Sequence, residues 1–270
     1  MTLSTSLNGL KNAQTELNVI ANNLANAETS GFKKSRVNFS DIVAGSAYTN
    51  PKLVQGIGSV VKSIDQNFST GAISSTGSAL DMAINGEGFY TVKSAISGDV
   101  YYTRNGNFST DGAGNIVDQS NNHVQVLPYD SATGTYATTP VDGMLPRTNA
   151  AGAAYAGVQV KTDGQVVAAY ADGTTATIGK IALASFVSPS GLLPMGTQQW
   201  QATGISGPAT YNPPATNGMG NILSGSLESS NVDMAEEMVG LITSQRFFQA
   251  NAKAIDTATQ IADAVINLRG

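Results

Sequence analysis

His123, in Gln119-Ser-Asn-Asn-His-Val, is the only histidine in the chain of 270 residues. One imidazole cannot build a multi-histidine metal site, and no serine and acid stand at a spacing that argues for a nucleophile with its base. There are no cysteines, so disulfides, thiolate metal sites and thiol nucleophiles are excluded. Glu236-Glu237 is a carboxylate pair near the start of a helical stretch. Acids there meet the positive end of the helix dipole, which is a structural use. Gly86-Glu-Gly88 begins like a dinucleotide loop, but no third glycine follows and Phe89-Tyr-Thr-Val runs on as a strand. Asp111-Gly-Ala-Gly-Asn115 lacks the alternating acids and closing glutamate of a calcium loop and reads as a turn. Asn-Phe-Ser occurs at Asn38, Asn67 and Asn107, matching a glycosylation pattern without a secretory leader to support it. Lys33-Lys34-Ser-Arg36 is a short basic cluster in a chain of net charge −5, and reads as a solvated link or an interface contact. Neither catalysis, a cofactor nor nucleic-acid binding is expected.

The elements that hold these residues carry the stronger signal. Leu3, Leu7, Leu10, Gln14, Leu17, Ala21 and Leu24 alternate spacings of four and three, and Ile20 and Ala27 widen the stripe. This is a heptad-like seam, closed by Ser30-Gly31. Met234, Met238, Leu241, Gln245, Phe248, Ala252, Ile255, Thr259, Ala262 and Ile266 repeat the pattern towards Leu268, with Asn231 or Asp233 as N-cap and Gly240 inside. From Gly71 to Gly225 the pattern changes to short β-branched or aromatic runs between Gly, Asn and Asp turns. Val100–Arg104 and Asn107–Thr110 flank Asn105-Gly106, which predicts a hairpin. Runs at Val158–Lys161, Gln165–Tyr170 and Thr174–Ile178 predict a meander continued by Lys180–Val187, whereas Ser131–Gly157 and Ser188–Gly220 read as loops.

The expected class is therefore α+β. Residues 1–27 with 231–270 form a coiled-coil-like helical stalk, 28–70 with 221–230 link it, and 71–220 form a β-rich domain. Neither helix can bury its stripe alone, so each needs the other or copies of itself. Residues 1–36 carry net charge +2 and 228–270 carry −3, which favours pairing. An ordinary α+β domain with end helices on its own sheet is the bland alternative. Only 12% of residues are charged, against roughly 25% in typical domains. Such a surface tolerates repeated self-contact. The N-terminus has no basic region followed by a long apolar core, and no apolar run reaches membrane-spanning length.

Three blocks resemble one family. Ala21-Asn-Asn-Leu-Ala-Asn26 with Thr29-Ser-Gly-Phe-Lys33 is similar to the N-terminal signature of bacterial flagellar rod and hook proteins. Gly71–Gly77, Leu80–Phe89, Tyr102–Ser109 and Asp111–Val117 are similar to the opening of the family's β domain. Gly225–Asp233 and Gln245–Ile255 supply the third match. The ending, from Gln249-Ala-Asn-Ala-Lys253 to Ile266-Asn-Leu-Arg269, looks most like the hook branch, while the short Ser131–Gly157 region and the length resemble the distal rod branch.

The resemblance implies a non-enzymatic subunit of a helical tube, exported by the flagellar type III apparatus without a cleaved signal. The first expectation is the hook, a flexible joint passing torque from rod to filament; the distal rod is the alternative. Implied partners are further copies of itself, rod proteins, the hook cap, the hook–filament junction proteins and the export apparatus, with no membrane insertion. Leu3, Leu7, Leu10, Leu17, Ile20, Leu24, Met238, Leu241, Phe248, Ile255 and Ile266 are the expected seam. Asn22, Asn23, Asn26, Gly31, Phe32, Lys33, Gln245, Arg246 and Asn251 carry the signature and are candidate register contacts between subunits. A rival of another class is a β-rich glycan-binding module or surface enzyme, with Tyr90, Tyr101, Tyr102, Tyr129 and Trp200 as a sugar platform.

Overall fold

The computed structural model describes residues 2–43, 56–130 and 134–267. Expectations resting on 44–55 within the link, on Ser131 at the start of the first loop, and on Leu268 and Arg269 lie outside the described residues. The chain divides into two compact units. One comprises Met1–Ala27, Lys34–Asn67 and Val232–Gly270; the other comprises Glu28–Lys33 and Phe68–Asn231.

The first unit is helical with one hairpin. Helix α1 (Thr2–Ala25) pairs with α2 (Met234–Asn267), so both expected helices form. The first ends at Ala25, short of the expected Ser30-Gly31 stop. There the Asn22 carbonyl accepts both the Asn26 backbone amide at 3.2 Å and the Asn26 side-chain amide at 2.9 Å, which closes the last turn. At the start of α2 the Asp233 carboxylate accepts from the backbone amides of Ala235 and Glu236 at 2.8 and 3.1 Å, which makes Asp233 the N-cap. Strands β1 (Ser35–Val43) and β2 (Gly56–Gln66) pair antiparallel, from Ser35 against Gln66 to Val43 against Gly56. Part of the expected link is thus a hairpin, because Val37, Phe39, Val61 and neighbouring residues alternate at the strand period. It lies on α1: the Asn12 amide donates to the Ser59 carbonyl at 2.9 Å, and the Thr5 hydroxyl to the Ile57 carbonyl at 3.2 Å.

The second unit is β apart from a single 3-10 turn at Pro189–Gly191. In order it contains β3 (Ile73–Ser75), β4 (Met82–Asn85), β5 (Phe89–Ser94), β6 (Val100–Thr103), β7 (Ser109–Thr110), β8 (Ile116–Val117) and β9 (Asn122–Asp130). Then come β10 (Thr135–Tyr136), β11 (Val141–Asp142), β12 (Tyr155–Val160), β13 (Gln165–Tyr170), β14 (Thr175–Ile181) and β15 (Leu183–Ser185). The last are β16 (Leu193–Gly196), β17 (Gln199–Gln201), β18 (Thr210–Asn212), β19 (Asn221–Ser224) and β20 (Ser226–Glu228). The main sheet runs β12-β13-β14-β9-β5-β6-β17-β16.

The expected meander is present as β12-β13-β14. The hairpin expected at Asn105-Gly106 is not. Strand β6 pairs with β5 and β17 instead, and β7 pairs with β8. A Cβ on Gly106 would fall 1.6 Å from the Met82 carbonyl oxygen, so this glycine serves a close backbone approach. The expected loops also hold short strands, β10 to β11 and β16 to β18, whose two to four residues are too brief to show a period.

Strand alternation builds two cores on the two faces of β5. Tyr90 and Val92 join Met82, Ile84, Val124 and Ile181 on one face. Phe89 joins Tyr102, Ala184, Leu192 and Trp200 on the other, where Phe68 packs edge-on at 5.3 Å from Trp200 and 5.2 Å from Phe89. This corrects the sugar-platform alternative: Tyr90, Tyr102 and Trp200 are buried, and cannot present a stacking surface.

Candidate functional site

In the helical unit, the seam between α1 and α2 is narrower than large apolar residues alone predicted. Ile20 is buried, and Leu10, Leu17, Leu24, Leu241, Phe248 and Ile255 are half-buried. Leu3, Leu7, Met238 and Ile266 remain exposed, at 49%, 43%, 52% and 69%. Three small or polar positions, Ala13, Asn23 and Ser244, are more enclosed than Ile20, and Glu237 is buried to about the same degree. On α2 the covered positions are Glu237, Gly240, Leu241, Ser244, Phe248, Asn251, Ala252, Ile255 and Ala258, which keep Leu241, Phe248, Ala252 and Ile255 of the predicted stripe and turn it towards Glu237, Ser244, Asn251 and Ala258. Gly9 sets the approach of the helices, and Gly240 leaves room beside Ile20. A Cβ on Gly9 would meet the Asn251 side-chain oxygen at 2.6 Å, and one on Gly240 would meet the Ile20 Cδ1 at 3.3 Å. Small residues in a heptad pattern were the available signal; a search for Leu and Ile passes over them.

The three asparagines of the signature have three different settings. Asn22 is exposed, and its carbonyl receives Asn26. Asn23 is buried at 2% exposure. Its amide donates to the Ser35 carbonyl at 2.9 Å and to a Glu237 carboxylate oxygen at 3.2 Å, and its oxygen accepts from the Ser35 backbone amide at 2.9 Å. It pairs with Ser35 as a neighbouring strand would, seating the start of β1 against α1 and the first turn of α2. Beside it, Lys34 reaches Glu236 at 3.0 Å. A cleft of about 560 Å³ opens there, lined by Val19, Ile20, Asn23, Val37 and Phe39 with a rim of Glu16, Lys34, Arg36 and Glu236. Gln245 and Arg246 are exposed on α2, and the Asn251 amide donates to the Phe247 carbonyl at 2.9 Å.

Gly31, Phe32 and Lys33 belong to the β unit. Gly31 has φ +71°, and a Cβ there would stand 2.5 Å from the Asn105 backbone nitrogen. Its amide donates to the Glu228 carbonyl at 2.8 Å. The Lys33 ammonium is buried; it pairs with the Glu228 carboxylate and donates to the Ser69 carbonyl at 2.7 Å. Burial holds its pKa below the ordinary lysine value, against the pull of Glu228. The second Glu228 oxygen faces Arg104 at 3.4 Å. The sequence marked Glu228 only as part of the Gly225–Asp233 block and gave no sign of its pairing with Lys33, 195 positions away.

The residues with chemical potential have quiet roles. His123 Nδ1 lies 3.1 Å from Asp142, at the edge of β9. Asp111 accepts the amides of Ala113 and Asn115 in a turn. Among the described residues, no group of three or more His, Cys, Asp or Glu is placed to hold a metal, and no helix is long and apolar enough to cross a membrane.

Comparison with known proteins supplies the wider context. Residues 3–33 match the flagella basal body rod protein family, 83–168 the flagellar hook protein FlgE/F/G D1 domain, and 223–268 the flagellar basal body rod FlgEFG protein C-terminal region. The flagellar basal-body rod protein FlgG of Bacillus subtilis strain 168 is 37% identical, over 99% of this chain and 98% of the relative. The rod protein FlgG of Caulobacter vibrioides is 35% identical over the same shares. The flagellar hook protein FlgE of Escherichia coli K12 is 26% identical over the whole of both chains, in an alignment spanning 410 residues. These matches take in the Asn23 node, the Lys33 segment and Glu228.

Proposed function

Because this chain belongs to the family of flagellar basal-body rod and hook proteins, structural subunits of the flagellum and not enzymes, we propose that it is a distal rod subunit that polymerises through its helical unit. The hook reading expected first gives way to the rod. Rod proteins match at higher identity, and their full length aligns without the long extra segment that the hook comparison requires.

The observation that carries polymerisation is the bare face of α2. Met234, Met238, Val239 and Ile242 stand 49%, 52%, 65% and 50% exposed along one side of a helix whose other side already holds α1. The hairpin leaves Phe39, Val60 and Ile64 similarly uncovered. An exposed apolar face of this extent marks an interaction surface. Two separate faces of this kind favour a head-to-tail contact, which grows a helix or ring instead of closing as a dimer.

The expected seam then divides in two. Leu10, Leu17, Ile20, Leu24, Leu241, Phe248 and Ile255 hold the helix pair of one subunit, while Leu3, Leu7, Met238 and Ile266 face its neighbours. Asn22, Gln245 and Arg246 are the remaining candidates for register contacts between subunits. Other rod and hook components and the export apparatus are the partners this reading implies.

Electron microscopy of the purified chain, with Met238→Asp and Ile242→Asp in parallel, tests the reading. The unaltered chain should form tubes or rods, and the variants should stay monomeric. Normal assembly by both variants contradicts the assigned face.

A further inference from the structure

We propose that Lys33, Arg104 and Glu228 form a latch that fixes the route of three chain passes through the β unit and does not serve its stability. Glu228 touches each pass. Its carbonyl receives the Gly31 amide at 2.8 Å, one carboxylate oxygen receives Lys33 and the Gly71 amide at 2.9 Å, and the other faces Arg104. Lys33 in turn reaches back to Ser69. The passes 28–33, 69–71 and 228 are thus joined at one residue, each close to a point where the chain leaves the unit, after Lys33, before Phe68 and after Asn231.

The cluster is a poor design for stability. Two cations share one carboxylate, all three side chains are at most 1% exposed, and Arg104 Nε has no hydrogen-bond partner among the described residues. Desolvating ions at this density offsets most of their attraction, and an apolar replacement of similar volume is often neutral or stabilising. What the cluster does supply is selectivity. The passes approach so closely that a Cβ on Gly71 would fall 2.1 Å from the Ser229 carbonyl oxygen, and one on Gly31 would strike Asn105. Apolar packing tolerates small slips in such a crossing; a buried lysine offered one carboxylate does not. Because Lys33 and Glu228 are 195 positions apart, the latch closes only when nearly the whole chain is present.

The test is hydrogen exchange and thermal unfolding of the full chain in two forms, Glu228→Gln and the triple variant Lys33→Met, Arg104→Met, Glu228→Leu. The amides of Gly31 and Ser229 report the route, since they bond to the carbonyls of Glu228 and Ala72, which the substitutions leave in place. Glu228→Gln should lower the melting temperature and speed exchange at both amides. The triple variant should melt at or above the unaltered chain, yet exchange at Gly31 and Ser229 at least ten-fold faster, with Val92 and Val124 unchanged. Slow exchange at both amides in the triple variant would mean that packing alone sets the route. A triple variant that melts as low as Glu228→Gln, or fails to fold, would make the cluster an ordinary stabilising contact. Either result overturns the latch.

Discussion

Asn23 has two amide hydrogens and one oxygen, and all are engaged inside the helical unit by Ser35 and Glu237. Asn23→Leu would leave both Ser35 backbone groups and a buried acid without their partner. Unsatisfied buried groups cost about 1–3 kcal/mol each, so the urea midpoint should fall clearly, while Asn22→Ala should leave it nearly unchanged. Gly31 makes a second case. Its left-handed backbone and its approach to Asn105 exclude a side chain, and Gly31→Ala should cost on the order of 1–3 kcal/mol, read by the same denaturant titration. The sequence marked the Asn22, Asn23 and Asn26 group, and Gly31 with Lys33, as special. It could not separate them, because what distinguishes Asn23 from Asn22 is a strand twelve residues on and a glutamate 214 residues away.

Both helices, the β character of the middle and the β12-β13-β14 meander were legible as periodicity, because long stripes and repeated turn signals are local properties. The rotation of the α2 seam was not. It follows from Gly9, Ala13 and Ser244 permitting close approach, and small residues carry little weight in a hydrophobic pattern. The short strands β16 to β18 were missed for a related reason: they are held by pairing with neighbours more than by their own sequence. Gly240→Ala tests the helix contact. The added methyl meets only the flexible end of Ile20, while alanine favours helix over glycine by about 1 kcal/mol. A modest rise in melting temperature is expected. Leu17→Asp places a charge in the seam and should unfold the helix pair, seen as lost far-ultraviolet helix signal, while near-ultraviolet signal from Trp200 persists.

At the scale of the molecule, pH acts mainly on the β unit. Burial raises the pKa of Tyr90 well above the ordinary 10.0, and burial together with its bond to Tyr211 raises that of Tyr102. A raised tyrosine binds its proton more tightly folded than unfolded. Stability should therefore hold up to about pH 10 and fall above it, where tyrosines ionise in the unfolded chain. Asp142 and Asp163 behave oppositely. Burial opposes their ionisation, but bonds from Gln125 and His123, and from Lys180, leave both pKa values below 3.8. Their contribution is present above that value and is lost as pH falls through the depressed folded pKa. Trp200 fluorescence across both limbs checks the two signs.

Polymerisation also belongs to this scale, and it separates from folding. Met238→Asp and Ile242→Asp alter exposed positions, so monomer stability should change by less than about 0.5 kcal/mol even as assembly fails. The most direct measurement is a cryo-electron microscopy map of basal bodies isolated from cells that make this chain. The chain should fit density in the distal rod, with Met238, Ile242 and Phe39 covered by neighbouring copies. A fit confined to the hook, or a rod in which those three side chains face solvent, would contradict the account.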